Sequence, residues 1–155
     1  MTNAVQIGGA LFLVLLNGFF VAAEFSLARA RMTRIEQLAD SGRASAVLVQ
    51  RQIRHIDRYL AACQLGITLA SLGLGWLGEP AFAHLFEPVF EKIGLGAGSA
   101  AATAVILAFA IITVLHVVVG ELAPKTIAIQ KAEPVALGIA RPLEWFRLVF
   151  SPFMT

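Results

Sequence analysis

Residues 116–125, which read HVVVGELAPK, place a carboxylate beside a glycine and a proline at the end of an apolar stretch. Pro124 has no amide hydrogen for the carbonyl four residues earlier, so Gly120 is predicted to keep a free carbonyl oxygen next to Glu121. A carboxylate beside exposed helix carbonyls commonly coordinates a cation in membrane proteins. The alternative is that Pro124 ends a helix and Glu121 pairs with Lys125 one turn later.

Two other apolar stretches supply further side-chain oxygens. Ser71 and Thr68 carry hydroxyls in the run QLGITLASLGLGWLGEP, although close helix packing and hydrogen bonds to their own backbone also explain both residues. The first stretch contains Asn17, Glu24 and Ser26, and Ser26 lies about two and a half helical turns beyond Asn17. Instead of acting as an oxygen ligand, Glu24 could pair with an arginine at the membrane surface.

Oxygen ligands of these kinds favour a hard cation such as Mg2+, Na+ or Ca2+. The three histidines and Cys63, the only cysteine, are too scattered to form a transition-metal set or a disulfide framework. The sequence contains no HExxH, GxSxG or glycine-rich phosphate loop, and nothing aligns Ser71 with His116 as nucleophile and base. It therefore predicts ion binding and no enzymatic activity.

Composition indicates that these oxygens lie in a membrane. The 155 residues are 58% hydrophobic and 14% charged, with a mean hydropathy of +0.79, whereas a soluble domain carries about a quarter charged residues. Three stretches approach the 17 to 25 residues needed to span a bilayer. They predict transmembrane helices over about 5–28, 59–78 and 99–120.

The distribution of basic residues predicts the orientation. Seven arginines lie between the first two spans, whereas the loop between the second and third has only Lys92 against three glutamates. Cytoplasmic loops retain positive charge, so the N-terminus is expected outside and the C-terminus inside. The basic residues are separated by apolar blocks and not interleaved with aromatics on one face, so the net charge of +2 does not indicate a nucleic-acid partner.

Two segments outside the spans have amphipathic patterns. Residues 30–58 read as two helices broken at Asp40-Ser41-Gly42, which predicts a cytoplasmic helical hairpin. Residues 134–150 alternate apolar and charged side chains, as expected for a helix in the inner membrane interface. The predicted fold is an all-α membrane protein with three transmembrane helices, a cytoplasmic hairpin and a C-terminal interfacial helix.

Three runs of this sequence resemble the transmembrane domain of the CNNM/CorC family of magnesium transporters. They are NGFFVAAEFSLARAR at 17–31, YLAACQLGITLASLGLGWLGEP at 59–80 and HVVVGELAPKTIAI at 116–129. They occur in the family's order and the resemblance covers nearly the whole chain. It implies a homodimer in the cell membrane that exports Mg2+, driven by Na+ entry. It also implies a cytosolic CBS-pair module that binds ATP, which these residues do not include, so the chain is expected to be a transmembrane domain alone.

The resemblance also implies which residues hold the ion. Ser26, Ser71, Gly120 and Glu121 match the family's ion-binding positions, while Asn17, Glu24 and Lys125 are ion-pathway or structural candidates. Two other interpretations remain open at this point: a dimeric membrane anchor or Mg2+ sensor that regulates another transporter, and an interaction scaffold with no ion site.

Overall fold

Helices make up the protein in the computed structural model, which describes residues 3–153. In chain order they are α1 (Asn3–Arg29), α2 (Met32–Asp40), α3 (Ala44–Arg54), α4 (Ile56–Lys92), α5 (Ala97–Leu115), a π-helical segment (His116–Leu122), α6 (Ala123–Gln130), α7 (Ala132–Phe150) and a 3-10 turn (Ser151–Phe153). Within the described range there is no strand. The predicted all-helical class is confirmed.

Three helical segments are long and apolar enough to cross a membrane, as the sequence predicts. They are α1, α4 and the continuous path Ala97–Gln130, which joins α5, the π-helical segment and α6. Helix α1 packs against α4 and against the far half of the third segment, and α4 packs against α5. The three segments therefore form a bundle in which α1 contacts both of the others.

The second span is part of a much longer helix than the predicted range 59–78. Helix α4 continues through Pro80 and Pro88 to Lys92, over 37 residues or about 55 Å, against a hydrocarbon thickness of about 30 Å. A proline removes only one donor, so it need not end a helix whose other bonds persist. The helix ends instead at Lys92, two residues before Gly94, whose φ of +95° allows the amide of Leu95 to bond to the carbonyl of Phe90.

The third span also continues past its predicted end at residue 120. The backbone widens into a π-helical segment over His116–Leu122, and the amide of Ala123 bonds to the carbonyl of Val118, five residues back. Helix α6 then starts with Pro124 at its second position and runs to Gln130. The alternative that Pro124 ends a helix is therefore not observed, because the wide turn accommodates the proline and the helical path continues to Gln130.

The two helices of the predicted hairpin, α2 and α3, pack against each other and are joined at the predicted break. Gly42 has a φ of +87°, and the amide of Arg43 bonds to the carbonyl of Leu38 to close the turn. Ile35 and Val49 are fully buried on the inner faces of these helices. The helical hairpin is present, while its cytoplasmic location stays a prediction.

The predicted C-terminal helix is present as α7, which is two residues longer at its start. One face is buried through Ala136, Ala140 and Leu143 against α1, α3 and α4. The Phe146 ring lies 4.6 Å from that of Phe20 in α1. The opposite face leaves Trp145 71% exposed, and the location of α7 in the membrane interface stays a prediction.

Candidate ion-binding site

Polar side chains from all three spans meet where α1 crosses the π-helical segment. Asn17 is fully buried, and its Nδ2 donates a 2.9 Å hydrogen bond to the carbonyl oxygen of Gly120. Its Oδ1 accepts a 3.3 Å bond from the Ser71 hydroxyl of α4. We call the set Asn17, Ser71, His116, Gly120 and Glu121 the polar junction. The carbonyl that the sequence predicts to be free is therefore bound by an amide from another span.

Two glycines make this close approach of helices possible. A Cβ atom on Gly18 would lie 2.9 Å from the Pro124 ring and 3.4 Å from the carbonyl oxygen of Val119. A Cβ atom on Gly120 would lie 3.3 Å from Nδ2 of Asn17 and 3.0 Å from the His116 ring. Small residues let helix backbones approach in membranes, and here they bring Asn17 to the carbonyl.

His116 is part of the junction, although its sequence pattern did not predict a place there. Its Nε2 lies 3.4 Å from the Ser71 hydroxyl and 3.7 Å from Oε1 of Glu121. The wide π-turn lets residues 116 and 121 share a face, and a histidine in an apolar run was the sequence signal. In a catalytic triad the acid binds Nδ1 while Nε2 faces the nucleophile, whereas here the same nitrogen faces both groups. This geometry does not match a triad.

The Glu121 carboxylate approaches His116, and no Glu121–Lys125 ion pair occurs among the described residues. The Lys125 ammonium lies 4.5 Å from the centre of the Phe25 ring on α1, as a cation–π contact. Glu121 keeps 48% of its side chain exposed. The alternative that Glu121 balances Lys125 across one turn is thus not the arrangement observed.

Ser26 and Glu24 lie away from the polar junction. The Ser26 hydroxyl is buried and donates to the carbonyl of Ala23 in its own helix at 3.2 Å. It is nine residues from Asn17, or about 13.5 Å along α1. Glu24 is half-buried and forms no ion pair within residues 3–153. The junction thus joins three of the four metal candidates, Ser71, Gly120 and Glu121, with Asn17, while Ser26 is separate.

Uncharged oxygens dominate the junction. In the part of the chain that the structure describes, no three His, Cys, Asp or Glu side chains are grouped closely enough to hold a metal. The Thr68 hydroxyl donates a 2.8 Å hydrogen bond to the carbonyl of Gln64 in its own helix. This is the backbone bond that the sequence pattern offers as an alternative role for Thr68. A cation here would depend on one carboxylate, one hydroxyl, one amide oxygen and one carbonyl.

The fold and this junction describe a multi-pass membrane domain with polar groups between its spans. Residues 8–155 match the family described as the cyclin M (CNNM) transmembrane N-terminal domain. The chain belongs to this family, as its three sequence runs predict.

Several bacterial relatives have the same region. The UPF0053 protein YhdT of Bacillus subtilis is 54% identical over 92% of this chain and 31% of its own length. YugS of the same organism is 46% identical over 97% of this chain and 35% of its length. An uncharacterized Mycobacterium tuberculosis protein, Rv1841c, is 40% identical over 94% of this chain and 41% of its length. The chain thus spans about a third of the length of the first two relatives.

Proposed function

We propose that this chain is the membrane domain of a transporter that exports Mg2+ in exchange for Na+ entry, and that it has no enzymatic activity. The observation that supports this most is the convergence of Asn17, Ser71 and the Gly120 carbonyl from three different spans. Polar groups are costly inside a bilayer and tend to mark an ion pathway. Family membership supports the same proposal.

In this proposal Ser71, Gly120 and Glu121 ligate the cation at the junction. Ser26 supplies a hydroxyl ligand at a second position, farther along α1. The carbonyl of Gly120 already accepts the Asn17 amide, so a cation would compete with that amide or share the oxygen with it. Mg2+ gives up its water reluctantly and requires octahedral geometry. A site with one carboxylate would therefore retain water and bind moderately, which suits release.

Flux from purified protein in liposomes tests the transport proposal directly. We expect Mg2+ movement that increases with an opposing Na+ gradient and is absent from protein-free liposomes. Mg2+ binding by calorimetry without any flux would instead support the anchor or sensor alternative. Absence of both binding and flux in a folded chain would favour the scaffold.

The role of Glu121 is testable by a charge-removal pair. Glu121→Gln keeps the shape and one oxygen but loses the charge, so Mg2+ should bind about tenfold more weakly or worse, because affinity follows ligand charge. Glu121→Gln with Lys125→Met should be equally impaired, because Lys125 contacts Phe25 rather than Glu121. Lys125→Met alone is the matched control. Wild-type Mg2+ affinity in the double variant would contradict the ligand assignment.

The proposed orientation places residues 30–58 in the cytoplasm and residues 79–98 outside. Cys63 is fully buried, so an impermeant thiol reagent should reach only an introduced cysteine. Gly42→Cys should be labelled from the cytoplasmic side, and Gly98→Cys from the outside. Labelling of Gly42→Cys only from outside the cell would contradict this topology.

We also propose a homodimer that uses small and apolar surfaces of the second and third spans. Large apolar side chains are exposed on both of them, including Leu72 on α4 and Ile106 and Phe109 on α5. Cysteine crosslinking between copies should succeed at these positions. Crosslinks confined to α1 would contradict this interface.

A further inference from the structure

The two ends of the molecule carry opposite charge. Eleven of the twelve lysines and arginines lie in residues 29–58 or 125–147, whereas Lys92 stands among three glutamates at the other end. Positive charge near a membrane surface attracts anionic lipid headgroups.

A groove lined by arginines lies where two spans end. Its largest cavity, of about 470 Å³, lies between the α2–α3 hairpin and α7, and two smaller cavities share Arg31 with it. Arg29 ends α1 and Gln130 ends α6, and both line one of these cavities. We call this surface, with Arg31, Arg34 and Arg43, the arginine groove. Its position at the ends of two spans sets it at headgroup depth.

Most of the positive charge in the groove is not neutralised by the protein. Arg31 pairs with Glu133, whose carboxylate lies 3.1 Å from its Nε. Arg34 contacts the neutral amide oxygen of Gln37 at 3.4 Å, and neither Arg34 nor Arg43 forms an ion pair within residues 3–153. Two guanidinium groups are therefore available, and guanidinium binds phosphate oxygens in a bidentate manner.

The floor of the groove is apolar. Leu38 lies on the hairpin side, and Pro134, Leu137 and Gly138 lie on the α7 side. A Cβ atom on Gly138 would meet no heavy atom within 4 Å, so the space above it is open. A free phosphate would use only the arginines, whereas a phospholipid would also cover the apolar floor with its acyl chain.

We propose that the arginine groove binds an anionic phospholipid, with the phosphate between Arg34 and Arg43 and the start of an acyl chain against Leu38 and Leu137. The site is separate from the polar junction and does not depend on Mg2+ transport. The bound lipid holds the hairpin against α7, so it stabilises the folded chain.

Thermal unfolding of the purified chain in neutral detergent tests this proposal with three probes. Short-chain phosphatidylglycerol should raise the Tm, whereas the matching phosphatidylcholine and inorganic phosphate should have little effect. Arg34→Gln with Arg43→Gln should weaken phosphatidylglycerol binding about thirty-fold. Both arginines are exposed, so this variant is expected to fold. Arg54→Gln with Arg141→Gln removes the same charge outside the groove and should bind like the wild type.

A second variant blocks the groove without changing its charge. Gly138→Leu fills open space and favours the helix, so it should fold and still lose phosphatidylglycerol binding. Gly98→Leu, another glycine with open space around it, is the matched control and should bind normally. Equal losses in both double-arginine variants, or full binding by Gly138→Leu, would overturn the site. Stabilisation by inorganic phosphate alone, or by an acidic peptide in place of lipid, would overturn the lipid assignment.

Discussion

Pro80 in α4 and Pro124 in the continuous path Ala97–Gln130 both lie inside a membrane-spanning segment, and their surroundings differ. Pro80 lies on the exposed face of α4, and within residues 3–153 no side chain from another helix donates to the carbonyl four residues back, that of Trp76. Pro124 packs on Gly18 of α1, and the corresponding carbonyl, that of Gly120, accepts the Asn17 amide. The same backbone defect thus remains local in one helix and builds an interhelical contact in the other.

The comparison separates two requirements for a proline-based site. A proline supplies a carbonyl that lacks its own helix donor, but a neighbouring helix must approach closely enough to use it. Gly18 and Gly120 allow that approach beside Pro124, and Asn17 supplies the donor. Each requirement can be removed by a single substitution.

Removing the close approach should have the largest effect on stability. Gly18→Ala places a methyl group 2.9 Å from the Pro124 ring, which must shift. Overpacking of this kind costs about 1–3 kcal/mol. The free energy of unfolding, measured in mixed micelles from loss of helicity, should fall by about this amount relative to a control.

Gly75→Ala is that control, because a Cβ atom there meets nothing within 4 Å. Both substitutions gain the same helix propensity, so the difference between them measures the clash alone. If Gly18→Ala were as stable as Gly75→Ala, the contact between α1 and Pro124 would not hold the spans together.

Removing the Asn17 donor should lower the free energy of unfolding by less. Asn17→Ala leaves the Gly120 carbonyl without its interhelical donor and the Ser71 hydroxyl without its acceptor. Interhelical hydrogen bonds in membranes contribute about 1–2 kcal/mol at most, so the same micelle measurement should show a loss of about that size. Thr68→Ala, which removes a hydroxyl bonded only to its own helix, should change stability by less than about 0.5 kcal/mol. Equal losses would mean that the bond to Gly120 stabilises nothing.

Hydrophobic length and turn chemistry predicted much of this arrangement. The three spans follow from apolar length and the hairpin turn from Gly42, and both are present. These are local properties, determined by residues within one or two turns.

What the sequence did not predict depends on neighbours distant in the chain. The second span was predicted over about 59–78, but α4 continues to Lys92 because Pro80 removes only one donor. His116 joins the junction only because the π-turn and the packing of α1 and α4 bring Ser71 and Glu121 to it. Lys125 contacts Phe25 of another helix, and the pair with Glu121 that the sequence offered as an alternative is not observed in the described region.

Pro142, another interior proline, lies in α7, a helix that side chains hold against its neighbours. The Tyr59 hydroxyl of α4 donates to the Glu144 carboxylate, and Arg147 donates to both of its oxygens, at 3.0 and 3.4 Å. Burial alone would raise the pKa of Glu144, but the bonds from Arg147 and Tyr59 outweigh it and hold that pKa below its usual value. Here an ionised carboxylate, rather than a backbone carbonyl, joins the helix to its neighbour.

Removing the contacts of Glu144 should have the smallest effect on the free energy of unfolding, and this effect should depend on pH. Because the folded pKa of Glu144 is depressed, its stabilisation is present above the unfolded pKa of about 4.3 and is lost as pH falls through the folded value. Wild type should therefore exceed Glu144→Gln in unfolding free energy by at most about 1 kcal/mol between pH 5 and 7, since the ion pair is partly exposed. The difference should shrink below about pH 4.

Glu91 is the control position, because it is exposed and has no ion pair in the described region. Glu91→Gln should show no such difference. A gap between wild type and Glu144→Gln that stays constant down to pH 3 would mean that the shape of residue 144, and not its charge, anchors α7 to α4.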